Sequence, residues 1–160
     1  MSILQRNYPR LLVYRLEEDD PRRCTSQVLR RHGLVKVFRH QSSIPSRAIV
    51  LNPEATQVLR ADDRQRAAEN GLVVIDSSWN RSRDIFHLVK RGEHRKLPFL
   101  LAANPTNFSV PEKLSSAEAF AAALIVMGFD ELAEMILSKF KWGPTFFLLN
   151  RERLSQYLGV

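Results

Sequence analysis

The aliphatic run Leu72-Val73-Val74-Ile75 breaks abruptly into a carboxylate, two hydroxyls and an indole at Asp76-Ser77-Ser78-Trp79. Residues of these types at the end of a strand are where chemistry is placed in open α/β folds. The carboxyl ends of parallel strands face a ligand crevice there, so Asp76 and Trp79 project toward whatever binds. A structural role competes with this one. An Asp or Ser after a strand commonly caps the next helix, and a Trp one turn later is usually half-buried packing.

Other short polar or proline-punctuated segments stand at expected strand ends and helix starts: Arg22-Arg23-Cys24-Thr25, Leu51-Asn52-Pro53, and Leu114-Ser115-Ser116. Each also suits a turn or a cap. Leu97 to Asn107 is unusual for a loop, because five consecutive apolar residues, Phe99-Leu100-Leu101-Ala102-Ala103, lie between Pro98 and the turn at Asn104-Pro105. Extended apolar backbone of this kind suits a flat aromatic ligand, with main-chain groups reading its edge and side chains covering its faces. It equally suits a buried strand or helix. No glycine-rich phosphate loop, dinucleotide fingerprint or nucleophile elbow is present, which excludes the chemistries that need them.

The elements that must hold these residues follow from periodicity. Leu11 to Leu16 reads as a first buried strand, and Glu17 to Arg23, containing Pro21, as a charged turn. A short helix capped by Thr25 or Ser26 ends at Gly33. Leu34 to Phe38 and Ala48 to Leu51 read as strands, the second apolar enough to be covered on both faces and stopped by Asn52-Pro53. Ala61 to Asn70 reads as an amphipathic surface helix with acids at its start and Gly71 past its end. Leu72 to Ile75 is then the strand that delivers Asp76. After Leu97 only helices are expected: Ser115 to Glu118 has capping-box spacing before Ala119 to Met127, a second helix runs from Asp130 to Phe140, and a third begins near Pro144 and continues through Tyr157. The expected class is therefore α/β, with a helix-covered parallel sheet over residues 1–98 and an all-helical part over 99–160.

Composition bounds the rest. The chain has 160 residues, 44% hydrophobic and 26% charged, so a folded globular protein is expected rather than a disordered one. Lys and Arg number 24 against 17 acids, a net charge of +7, which suits a polyanionic partner such as nucleic acid. Cys24 is the single cysteine, excluding an intramolecular disulfide, and His32, His40, His87 and His94 lack metal-site spacing, so no metal is expected. The longest apolar block, Ala117 to Phe129, is too short to span a bilayer, and no secretory signal opens the chain. A soluble, cytoplasmic, monomeric protein is the expectation.

Six segments taken in order carry a resemblance over nearly the whole chain. They are Asp20 to Thr25, Leu51 to Gln57, Asp76 to Trp79, Leu100 to Phe108, Lys113 to Ala119 and Phe140 to Gly143. In these the sequence resembles the small-subunit ribosomal RNA aminocarboxypropyltransferases of archaeal type. The resemblance implies a fold related to the knotted SPOUT methyltransferases, with a trefoil knot. It also implies a reaction, in which the 3-amino-3-carboxypropyl (acp) group of S-adenosylmethionine (SAM) passes to a methylated pseudouridine and methylthioadenosine is released. Implied for the donor are Leu51, Pro53 and Trp79 around the methionine and sulfonium, and Leu100, Leu101 and Leu114 at the adenine. Thr25 would lie at the ribose, and Ser115 and Ser116 at the amino-acid end. Trp79 would shield the methyl group, and Asp76 would serve as general base or as anchor for the donor's ammonium. The site would lie where the two parts of the chain meet.

The chain departs from that pattern at Thr25-Ser26-Gln27, where Ser-Gly-Lys is common, and at Ser77, where cysteine is frequent. Its short end at Val160, without the long acidic tail of eukaryotic relatives, fits the archaeal type. RNA would be held through its phosphates by Arg22, Arg23, Arg30, Arg31, Lys36 and Arg39, and by Arg81, Arg83, Lys90, Arg91, Arg95 and Lys96. Two other functions remain open: a basic RNA-binding assembly protein without catalysis, and an rRNA methyltransferase that uses the same donor.

Overall fold

The computed structural model describes residues 7–15, 24–76, 86–110 and 113–159. Strands β1 (Leu11–Arg15), β2 (Lys36–Phe38), β3 (Ile49–Leu51), β4 (Leu72–Asp76) and β5 (Glu93–Arg95) form one sheet in the order β2-β1-β4-β3-β5. Every pairing is parallel. The three inner strands β1, β4 and β3 are apolar almost throughout and buried along their length, as strands covered on both faces must be.

Alternation along these strands sorts their side chains between two cores. Leu11, Val13, Ile49, Leu51, Leu72 and Val74 enter the larger cluster, and Leu12, Tyr14, Val50, Val73 and Ile75 enter the smaller one on the other face. Asp76 shares the parity of Val74, and Arg15 shares that of Val13. The two are register partners, so both leave the sheet on the side of the larger core.

Helices α1 (Thr25–Arg31), α2 (Arg64–Asn70), α3 (Ser116–Val126), α4 (Asp130–Leu137) and α5 (Gly143–Leu158) complete the described elements of length. Short 3-10 turns occupy Gln41–Ser43 and Ala61–Asp63, so the helix expected over Ala61 to Asn70 is divided in two. In α3, Ala117, Phe120, Ala121, Ala122, Ala123 and Leu124 are all buried. A helix apolar on every side belongs at the centre, and α3 packs on β4, α1 and α4 together. Arg64 bridges from α2 to the end of α3, donating to the carbonyls of Met127 and Gly128 while its guanidinium covers the Phe129 ring at 4.1 Å. A cation there also complements the negative end of the α3 dipole.

Two expectations need correction. The C-terminal part is not helical from residue 99: Phe99 to Val110 is irregular, with a single bridge residue at Leu101, and helix begins only at Ser116. Strand β5 was not expected, because Glu93-His94-Arg95 contains no β-branched or aliphatic residue. As an edge strand it pairs only with β3, and backbone pairing rather than a buried face holds it. Gly92 permits the approach: its φ is +89°, and a Cβ would stand 2.5 Å from Val50 Cγ2. The parallel α/β sheet is thus established, while a trefoil knot is not something the described residues display.

The irregular segment is fixed by one buried side chain. Glu118 of α3 is fully buried, and its carboxyl oxygens accept from the N–H of Ala103 at 2.6 Å, the amide of Asn104 at 2.6 Å and the N–H of Ser115 at 2.9 Å. Asn150 of α5 performs a similar task, accepting from the Leu101 N–H at 2.7 Å and donating to the Leu101 carbonyl at 2.8 Å. Truncating Glu118 strands three donors in the core. Glu118→Ala is expected to destabilise the protein by about 3 kcal/mol or more, read as a lowered urea midpoint.

Candidate functional site

The sheet's carboxyl edge meets the starts of α1 and α3 at Asp76. Sequence spacing suggests Thr25 or Ser26 as the cap of α1, but Cys24 occupies the N-cap position and makes no side-chain capping bond. The two hydroxyls are used otherwise. Thr25 Oγ1 accepts from the Ala117 N–H at 3.0 Å, joining α1 to the first turn of α3. Ser26 Oγ donates to Asp76 Oδ2 at 2.6 Å, joining α1 to β4. Cys24 Sγ lies 2.8 Å from Ser26 Oγ and 3.4 Å from the same Asp76 oxygen. Arg15 stands beside them, 3% exposed, in register with Asp76.

Helix α3 carries the capping box that its sequence predicts. Ser115 Oγ accepts from the Glu118 N–H at 3.3 Å, and Glu118 returns to the Ser115 N–H. The residues expected around a donor molecule therefore gather through a chain of bonds: Asp76 to Ser26, its neighbour Thr25 to Ala117, Ser115 to Glu118, and Glu118 to Ala103. Leu51 and Leu100 are buried in the larger core, and Leu114 packs against it. Pro53 is exposed just past β3, where its turn is fixed by Asn52, whose Oδ1 accepts from the Glu54 N–H at 2.8 Å. Trp79, Ser77 and Ser78 lie outside the described residues. So do Arg22, Arg23, Arg81 and Arg83.

Several groups expected to face a ligand are already engaged. The main-chain N–H and carbonyl of Leu101 are both bonded to Asn150, so contact with an adenine there falls to its side chain and the carbonyl's second lone pair. Among the basic residues, Arg95 is a structural one. Its side chain is 14% exposed and its Nε lies 3.3 Å from Asp63 Oδ2. Arg91 donates through Nε to the Ile44 carbonyl at 2.7 Å. Arg30, Arg31, Lys36 and Lys90 are exposed, and Lys96 is half-buried at a bridge to Val58. His94 is half-buried, and both of its ring nitrogens are engaged by the protein. Its Nε2 lies 2.9 Å from the Arg91 carbonyl and its Nδ1 lies 2.9 Å from the Asn52 amide, which assigns the proton to Nε2.

Sequence reasoning missed Arg15 and Ser26 as members of this cluster, and Glu118 and Asn150 as its supports. Arg15 had a signal: it ends β1 at the same parity at which Asp76 ends β4. Glu118 and Asn150 had none, since a helical Glu or Asn looks the same whether it faces solvent or a buried loop. Two open clefts lie farther out, one of about 780 Å³ between Arg60 and Tyr157 and one of about 390 Å³ between Asn52 and Lys90. Neither is lined by Asp76, and the hydrogen-bonded cluster is the better guide to chemistry. Among the described residues no group of three or more His, Cys, Asp or Glu is placed to hold a metal, and no helix is long and apolar enough to cross a membrane.

Comparison with known proteins covers the whole fold. Residues 49–160 match the family described as the C-terminal part of a ribosome biogenesis protein. A 16S rRNA aminocarboxypropyltransferase of Methanopyrus kandleri is 46% identical over 148 residues, 92% of this chain and 88% of the relative. One from Methanosarcina mazei is 43% identical over 150 residues, 92% of this chain and 84% of its own. The solved structure of the SAM-dependent rRNA:acp-transferase Tsr3 from Vulcanisaeta distributa superposes with a TM-score of 0.89 at 41% identity, covering 94% of this chain and 83% of that one.

Burial, and then the nearby charge of Asp76, push the Cys24 thiol above its ordinary value of 9.0. The folded state therefore keeps a proton that the unfolded chain loses as pH rises through that value. Stability contributed by the neutral thiol is intact below pH 9.0 and declines above it. Cys24→Ala should flatten this alkaline decline in urea unfolding measured across the range. Iodoacetamide should alkylate Cys24 more slowly in the native protein than in the unfolded one.

Proposed function

The chain belongs to the family of 16S rRNA aminocarboxypropyltransferases, and from that premise we propose how its residues carry out SAM-dependent acp transfer to small-subunit rRNA. The observation that carries the reading is the match to the SAM-dependent transferase over 94% of this chain and 83% of that one. The chemistry of the Asp76 cluster supports it. Bound SAM supplies a sulfonium with three activated carbons, and the protein selects the product by which carbon it exposes.

Leu51, Pro53, Leu100, Leu101 and Leu114 lie at the ends of β3 and along the fixed segment and would give an adenine and a thioether apolar contacts. Thr25 lies where α1 and α3 touch and would meet the ribose. Two N–H groups of the first turn of α3 are taken by Thr25 and Ser115, so the donor's carboxylate falls to Ser116 together with the positive end of the helix. Asp76 anchors the donor's ammonium or accepts the proton that the uracil nitrogen must lose. That nitrogen then bonds to the acp carbon, while the electron pair of the broken C–S bond stays on sulfur as methylthioadenosine. Trp79, outside the described residues, has the role that the resemblance implies: its indole would attract the cation and shield the competing methyl carbon.

The acceptor in this reading is a methylated pseudouridine of the decoding region, held by Arg30, Arg31, Lys36, Lys90 and Lys96 together with Arg22, Arg23, Arg81 and Arg83. A monomer acting in the cytoplasm on a ribosomal particle completes it, with the donor lodged between residues 1–98 and 99–160. The SPOUT-related knot rests on the resemblance alone.

The test uses SAM labelled in the carboxyl group or in the methyl group, with small-subunit RNA as acceptor. Carboxyl label should enter the RNA and methyl label should not. Methyl label alone would identify a methyltransferase, and RNA binding without either label would identify an assembly factor. Asp76→Ala and Trp79→Ala should each lower carboxyl transfer by about 100-fold while leaving RNA affinity unchanged.

A further inference from the structure

We propose that Ser26 is a positioning residue for Asp76, the middle member of a half-buried donor chain running from the Cys24 thiol through the Ser26 hydroxyl to the carboxylate. The inference rests on the acp-transfer reading and adds to it a group that the resemblance does not supply, since glycine is the common residue at that place.

The directions of the bonds follow from counting protons. Ser26 has one hydroxyl hydrogen and is fully buried. At 2.6 Å from Asp76 Oδ2 that hydrogen lies on the short, charge-assisted bond to the carboxylate. The 2.8 Å contact with Cys24 Sγ must then use the thiol hydrogen, with Ser26 Oγ accepting. The raised thiol keeps that hydrogen at neutral pH. Cys24 accordingly serves as a donor and not as a nucleophile.

The consequence is geometric. A carboxylate at the end of a strand can rotate about its Cβ–Cγ bond. The Ser26 hydroxyl donates to Oδ2 at 2.6 Å while the Cys24 sulfur packs 3.4 Å from the same oxygen, and together they restrict rotation of the group. Oδ1 is thereby assigned to the donor's ammonium or to the acceptor nitrogen. Positioning to within a fraction of an ångström is worth large factors in rate.

The experiment is a double-mutant cycle between Ser26→Ala and Asp76→Asn. It is scored by kcat and KM for carboxyl-labelled SAM with small-subunit RNA, and by the calorimetric Kd for SAM. Ser26→Ala should lower kcat/KM for SAM by about 10-fold in the wild-type background, as expected for losing one charge-assisted bond. In the Asp76→Asn background the same change should have no further effect on the residual rate or on the Kd. Ser26→Thr should restore most of the rate, and Cys24→Ala should cost about 2-fold to 3-fold. Thermal melts monitor folding in every variant. An equal loss from Ser26→Ala in both backgrounds would show a structural role and overturn the proposal, as would Ser26→Ala at the wild-type rate while Asp76→Asn is impaired. Wild-type protein that transfers no carboxyl label would instead bring down the acp-transfer reading, and this proposal with it.

Discussion

Two backbone N–H groups and one side-chain amide converge on one carboxyl group that water does not reach, and the site is built outward from that point. Glu118 ties the irregular stretch at Ala103 and Asn104 to the first turn of α3, and the same turn receives Thr25 from α1. Without it the apolar stretch Leu100 to Ala103 would have no fixed relation to the strand ends. Asn150 adds the second tie from α5. The energetics of such a group are lopsided: a full set of partners yields a modest net gain, whereas a missing partner leaves a buried charge or donor at considerable cost.

Much of the fold was legible because the inner strands are covered on both faces and advertise themselves as aliphatic runs. β1, β3 and β4 were visible for that reason, as were α3 through its capping box and α5 through Pro144. β5 was hidden, since an edge strand held by main-chain bonds needs no apolar signature. The hydroxyls after Cys24 were misassigned for a related reason. Sequence can show that a Thr or Ser stands where a cap would be, but the partner that draws the hydroxyl away, Ala117 or Asp76, lies 92 or 50 residues distant. Asp76 itself was readable from the break at the end of β4.

Charge behaves in the same divided way. The excess of basic residues announces a polyanion, yet part of the set expected to touch RNA is engaged by groups of the protein itself. Arg95 is held by Asp63, Arg91 by a carbonyl, and Arg64, never a candidate, by the end of α3 and the Phe129 ring. A guanidinium packs well against carbonyls and aromatic faces, so arginine counts overstate the surface left for phosphates. The exposed Arg30 and Arg31 belong to α1, the helix from which Ser26 reaches Asp76, whereas Lys36 of β2 is in register with Leu12 and has the parity of the opposite face.

The parity of β4 has an evolutionary corollary. Every second residue of that strand faces the core shared with α1 and α3, and Asp76 is on that side only because an even number of steps separates it from Leu72. Inserting or deleting one residue between Gly71 and Asp76 would leave the strand just as apolar, but would rotate the carboxylate to the opposite face, away from its hydroxyl partner. Homologues should therefore exchange aliphatic residues freely within β4 while keeping its length constant, and a chain with a one-residue indel there would keep the architecture and lose the reaction.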